Sequence, residues 1–144
     1  EKLFANSGQP LPADARARIA DECRASLAAD GFRFDLPAGA VAVGTGGTLT
    51  VARAIAALKA GVTTGLGSSL LPAAELAAQF DRLKIMPLTE RQHFPGLPSA
   101  RADVYPTALA TYMAIAQLGH FESYHHSLYN LRYGLAREML AAIA

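Results

Sequence analysis

Apolar residues recur along this chain at two spacings, and the switches between them mark out its elements. Ala15, Ile19, Cys23 and Leu27 line one face of a helix that Pro12-Ala13-Asp14 opens and that runs to about Ala29, with Gly31 as its C-terminal cap. Residues 31–38 lead to an unbroken apolar run, Ala40 to Val43, which reads as a buried strand. After Gly44-Thr45-Gly46-Gly47-Thr48 the spacing turns helical from Leu49 to Lys59, with Val51, Ala54, Ile55 and Leu58 on one face and Gly61 closing it. Thr63 to Ser69 is a glycine-serine loop, read as flexible, with a substrate lid as the alternative. Pro72 suits the first position of a helix reaching about Ile85, striped by Leu76, Phe80 and Leu83. Thr89-Glu90-Arg91-Gln92 has the form of a capping box, and Phe94 to Pro98 a turn. Ser99 is placed to cap Ala100 to Leu118, with Ala108, Tyr112 and Ile115 on one face and Pro106 breaking or kinking it. Phe121 to Ser127 alternates as a second strand does, and Ser127 or Asn130 caps a last helix through Leu131, Leu135, Met139 and Ile143. The fold class is α/β, helix-rich, with few strands.

Composition narrows the classes of function. The chain has 144 residues, one domain's worth, 51% hydrophobic and 17% charged, with a net charge of +1. That balance gives no basic patch for a nucleic-acid polymer and no acidic tail. No signal peptide or membrane span is evident, so a cytoplasmic protein is expected. The single cysteine, Cys23, excludes an internal disulfide and a cysteine metal cluster, and its helical spacing suggests a buried small apolar residue. The chain begins Glu1-Lys2 without methionine, so a fragment of something longer is expected.

Candidate chemistry centres on the glycine turn. Strand, glycine turn and helix start together aim unpaired backbone N–H groups at an anion, and Thr45 and Thr48 add hydroxyl donors. No Lys-Ser/Thr pair follows the glycines, so this is not a P-loop, and Leu49 occupies the third-glycine position of the dinucleotide pattern. A turn packed tightly for structural reasons is the competing reading. Arg101 and Arg132 each stand near a helix start, where the dipole is already positive, so each could instead fork onto a phosphate. His120, His125 and His126 lie near Glu122, but on a strand His125 and His126 point to opposite faces, against a shared metal. Glu90 and Asp103 are acid/base candidates whose blander reading is a favourable helix-start charge. No serine-histidine-aspartate elbow is present, so neither a catalytic residue nor a metal ligand is assigned.

Taken in order, Val43-Gly44-Thr45-Gly46-Gly47-Thr48, then Thr89-Glu90-Arg91 to Pro95-Gly96-Leu97 with Arg101-Ala102-Asp103-Val104, then Ser127 to Leu131-Arg132-Tyr133-Gly134-Leu135, the chain resembles the later portion of the Ppx/GppA family over about residues 40–140. That family comprises exopolyphosphatases and guanosine pentaphosphate phosphohydrolases. The resemblance implies part of an actin-like, ribonuclease-H-like domain in a two-domain enzyme that hydrolyses terminal phosphoanhydrides with a divalent cation, magnesium, and a glutamate as base. The glutamate and the Asp-Gly-Ser-rich phosphate loops lie upstream of the matched region, so the isolated piece is expected to be inactive and to bind no metal by itself. It implies that Gly44, Thr45, Gly46, Gly47 and Thr48 face the cleft and that Arg101 and Arg132 face phosphates of polyphosphate or a guanosine pentaphosphate-type substrate. Asn130, Tyr133 and Thr107 depart from the usual glycine, glutamate and glycine. With part of its sheet missing such a piece is expected to self-associate, as a homodimer. The alternatives are a non-catalytic regulatory or interaction domain, and an ATP-binding relative of the actin-like superfamily.

Overall fold

The computed structural model describes residues 8–62 and 65–143. In chain order it contains helix α1 (Ala15–Ala29), strand β1 (Ala42–Thr45), α2 (Gly47–Lys59), β2 (Leu70–Pro72), α3 (Ala73–Leu83), α4 (Leu88–Arg91), a 3-10 turn at Ser99–Arg101, α5 (Tyr105–Leu118), β3 (Ser123–Ser127) and α6 (Leu131–Ala141). The fold is a helix-rich α/β arrangement around a small three-stranded mixed sheet of order β1-β3-β2. β3 lies in the centre, parallel to β1 with Thr45 opposite Ser127 and antiparallel to β2 with Leu71 opposite Tyr124. The parallel pairing carries the C-terminal ends of β1 and β3 to the same end of the sheet.

The core forms where α5 meets α1 and α3. Leu49, Leu76, Phe80, Leu83 and Leu109 are fully enclosed there with Ala15 and Ile19 of α1 and Tyr124 of β3. Each such aliphatic or aromatic side chain contributes roughly 1.5–3 kcal/mol. A buried polar bridge ties three helices together: the Tyr105 hydroxyl donates to Gln79 Oε1 at 2.8 Å, and Gln79 Nε2 donates to the Ala52 carbonyl at 2.9 Å.

Several elements differ from the sequence expectation, each for a local reason. β1 sits two residues later than Ala40 to Val43, because Gly44 and Thr45 complete the pairing with β3. α2 therefore starts at Gly47 rather than Leu49. It buries Leu49, Val51, Ala52, Arg53, Ile55 and Ala57, leaving Leu58 half exposed, so its apolar face is rotated from the expected one. Pro72 ends β2 and precedes α3 instead of opening that helix. A proline is tolerated there because β2 is an edge strand. The expected capping box forms no side-chain cap, Pro87 taking the N-cap position. Ala100 to Leu118 is not one kinked helix: the 3-10 turn precedes α5, and Pro106 lies in the first turn of α5, where no intrahelical N–H is lost. α5 buries Leu109, Ala110, Met113 and Ala114, with Ala108, Tyr112 and Ile115 only partly covered. α6 buries none of its residues. α1 has the expected end, with Gly31 at φ 74° past its last turn, and Cys23 is half buried against the core. Thr63 and Thr64 of the expected loop lie outside the described residues.

Candidate functional site

The turn between β1 and α2 is built by three glycines with three different duties. Gly46 takes φ 95° and ψ 179° as the residue before α2, a conformation an L side chain rarely adopts. A Cβ on Gly46 would meet nothing within 4 Å, so the surface above it is open. Gly44 faces the other way: a Cβ there would run into the Leu49 side chain and touch Tyr124. Its small size serves packing. A Cβ on Gly47 would collide with the guanidinium of Arg101. Arg101, at the end of the 3-10 turn, thus lays its charged group directly on the first residue of α2.

This juxtaposition has a clear electrostatic sense. The N–H groups of Gly47, Thr48 and Leu49 open the helix and have no intrahelical carbonyl to bond. No side chain caps them. They carry the positive end of the helix dipole, about half an elementary charge. An arginine placed on that end is repelled, and the Arg101 guanidinium has no acidic or hydrogen-bonding partner recorded among the described residues. An anion between the amides and the guanidinium would turn repulsion into attraction. Thr45 and Gly46 are exposed, Gly47 and Thr48 half buried, so the amides remain reachable.

Arg132 stands elsewhere. It lies in the first turn of α6, exposed, its backbone N–H bonded to the Asn130 side chain at 3.0 Å. Asn130, rather than Ser127, is the cap. Among the described residues no hydrogen bond or ion pair joins the Arg132 side chain to the glycine turn. The topology does place the two at one end of the sheet, because Ser127 pairs with Thr45 and α6 starts shortly after it.

Behind the turn lies a polar chain that sequence reasoning missed. The Thr50 hydroxyl sits 3.1 Å from the Gly46 carbonyl and 3.3 Å from His126 Nε2. The other ring nitrogen, Nδ1, is 2.9 Å from Arg53 Nη1, and Arg53 Nη2 donates to the Gly67 carbonyl at 2.8 Å. His126 and Arg53 are buried, at 6% and 8% exposure. Burial, helped by the Arg53 charge, holds the His126 imidazole below its ordinary pKa, so it is neutral near pH 7. The available signal was an arginine on the apolar side of a helix, between Ala52 and Ala54.

The histidine reading stands in its geometry: His126 is buried while His125, next along β3, is exposed. Among the described residues no group of three or more His, Cys, Asp or Glu could hold a metal ion. Glu90 is exposed in the first turn of α4. Asp103 is the counter-charge of Arg91, a motif residue that the sequence left without a role: Arg91 is wholly buried, which lowers its guanidinium pKa, and Asp103 opposes that shift.

Comparison with solved structures gives the fold. The chain matches the crystal structure of the type II variant of the Aquifex aeolicus Ppx/GppA phosphatase with a TM-score of 0.72 at 20% identity, over 94% of this chain and 43% of that one. It matches the crystal structure of an exopolyphosphatase from Cytophaga hutchinsonii with a TM-score of 0.74 at 20% identity, over 93% of this chain and 44% of that one. The chain therefore spans less than half the length of the structures it matches, and it has the fold of part of a Ppx/GppA structure. The helix-rich α/β class with few strands agrees with that likeness. No family model and no curated protein sequence matches it. Among the described residues no helix is long and apolar enough to cross a membrane.

Proposed function

We propose that this chain is the C-terminal part of the second domain of a phosphoanhydride hydrolase of the exopolyphosphatase and guanosine pentaphosphate phosphohydrolase type, and that it supplies phosphate-binding groups to an interdomain cleft. The observation that carries this reading is the Arg101 guanidinium resting on Gly47 at the uncapped N-terminus of α2. The likeness to Ppx/GppA structures supports the same reading. In this proposal the amides of Gly47 and Thr48 donate to non-bridging oxygens of a polyphosphate or guanosine pentaphosphate-type substrate. Arg101 forks onto the same phosphate, and Thr45 and Thr48 add hydroxyls. Gly44 and Gly46 shape the loop. Arg132 joins as a second cation from the same end of the sheet. Positive groups held in place beforehand favour the charge that develops as water attacks the terminal phosphoryl group.

In this proposal the magnesium ion such hydrolases are expected to use is held mainly by the rest of the enzyme and by the substrate's phosphates. The roles left to this chain are binding and charge neutralisation, and by itself it is expected to be inactive. A cytoplasmic setting and pairing with a second copy of the chain belong to the same proposal. The second is supported by β1, which among the described residues is a sheet edge paired on one side only, by exposed Val43 within it and Val41 before it, and by the exposed apolar residues of α6.

The test is thermal stabilisation and calorimetric affinity with tripolyphosphate. Arg101→Ala should weaken binding about 10- to 100-fold, the worth of a charge-assisted hydrogen bond to phosphate. Stabilisation by adenine nucleotides alone would point instead to an ATP-binding relative. No stabilisation by any phosphate would leave a non-catalytic interaction domain.

A further inference from the structure

The buried chain behind the glycine turn is directional, and its direction follows from donor chemistry. A guanidinium only donates, so His126 Nδ1, 2.9 Å from Arg53 Nη1, must be the unprotonated ring nitrogen. The ring proton is then on Nε2, which donates to the Thr50 oxygen at 3.3 Å. With that lone pair engaged, the Thr50 hydroxyl proton is directed to the Gly46 carbonyl at 3.1 Å. The neutral tautomer with its proton on Nε2 thus satisfies both ring contacts and joins the Arg53 bond to the Gly67 loop with the Thr50 bond to the turn. We propose that Thr50 and His126 are positioning residues for the anion-binding turn, and that protonation of His126 loosens the Thr50 hydroxyl's hold on the Gly46 carbonyl, leaving it the Thr50 backbone N–H at 3.2 Å, and weakens phosphate binding. The inference rests on the phosphate-binding reading for its ligand arm and on the hydrogen-bond chain alone for its structural arm.

Protonation cannot be absorbed in place. A proton on Nδ1 would leave two donors facing each other at the Arg53 contact, with no acceptor between them. The groups packed around the ring give no relief. α2 contributes Arg53 and Thr50, the segment before β2 contributes the Ser69 carbonyl, already engaged by the His126 backbone N–H at 2.8 Å, and β1 places Gly44 opposite. Neighbouring His125 points to the other face. No carboxylate is recorded in contact with the ring among the described residues, so the imidazolium has nothing to pair with. The Nδ1–Arg53 contact must open, and as the ring turns away from Arg53 the Nε2–H that orients Thr50 is drawn off it. The segment affected is the one whose peptide units present the Gly47 and Thr48 amides.

The test uses the whole chain, isotope-labelled, followed by NMR from about pH 8 to about pH 5, across the ordinary histidine range. The Gly46 and Gly47 amide resonances should move with the midpoint of the His126 ring. Tripolyphosphate affinity should fall about tenfold through that midpoint, one oriented hydrogen bond's worth. In Thr50→Val the ring should still titrate while the Gly47 amide no longer follows it. In His126→Gln, whose amide can donate to Thr50 but does not titrate, both the amide and the affinity should lose the step. Any pH dependence left in that variant is the contribution of tripolyphosphate's own protonation, and it is subtracted from that of the unmodified chain. A Gly47 amide that ignores the His126 midpoint in the unmodified chain, or still follows it in Thr50→Val, would overturn the proposal. If tripolyphosphate fails to bind at any pH, the phosphate-binding reading falls, while the amide titration of the ligand-free chain still decides whether His126 controls the turn.

Discussion

At the scale of single residues, the glycines of the turn should separate stability from the proposed phosphate binding. Gly47 begins a helix and its φ is not in the left-handed region, so alanine there suits the backbone and removes unfolded-state freedom worth about 0.4–1 kcal/mol. Its methyl group would displace the Arg101 guanidinium, which is exposed and can swing away. Gly47→Ala should therefore melt no lower than the parent chain in calorimetry, yet lose tripolyphosphate affinity by roughly tenfold or more, as expected when a charge-assisted contact goes. Gly44→Ala should do the reverse: its methyl group meets Leu49 in a closed core, and overpacking of that kind costs about 1–3 kcal/mol in urea unfolding. His126 adds a dependence on acidity. Its folded-state pKa lies below the ordinary value, so the stability it contributes is complete above about pH 6.5 and is lost as pH falls through the folded value. Urea midpoints measured on either side of that window should differ in the parent chain by more than in His126→Gln.

At the scale of elements, long apolar periods were legible and short or polar-buried features were not. α1, the α2 region and α3 announce themselves by spacing, whereas the apolar run before the turn, read as a buried strand, forms a strand two residues later and exposes Val41 and Val43. β2 has three residues and ends in proline, too short for any period to show, and it exists because the β3 backbone offers it an edge. The rotated face of α2 has a chemical origin. Arg53 is buried, and only the tertiary arrangement of His126 and the Gly67 carbonyl makes that tolerable. Of the candidate site, the glycine turn and Arg101 could be read ahead of the structure. Thr50, Arg53 and His126 could not, since they lie far apart in sequence and their order depends on how β3 packs on α2. Gln79 illustrates the same limit between helices. It bridges α3 to α2 and α5 through two buried bonds, so Tyr105→Phe should strand its Oε1 and cost about 1–3 kcal/mol in chemical denaturation. A cost near zero would show that Oε1 finds another donor.

At the scale of the whole molecule, the uneven distribution of burial decides what the chain should do in solution. The core between α1, α3 and α5 is closed, whereas α6 buries nothing and Leu131, Met139, Leu140 and Ile143 are each at least two-thirds exposed. Among the described residues β1 has a neighbour on one side only, and Val41 and Val43 are exposed. Exposed apolar surface and a free strand edge both favour association. A second copy joined along β1 would pair two identical edges about a two-fold axis, which an antiparallel arrangement permits. Light scattering should then give twice the chain mass at tens of micromolar. Val43→Lys should shift the chain to a monomer, because a charge on an edge strand blocks pairing without touching the core. Replacing Met139 and Leu140 by glutamate should do so only if α6 is part of the contact, which distinguishes an edge-paired dimer from one closed by the helix. A chain that remains monomeric at every concentration would mean that the exposed surfaces await a different partner, and pairing with a second copy would be withdrawn.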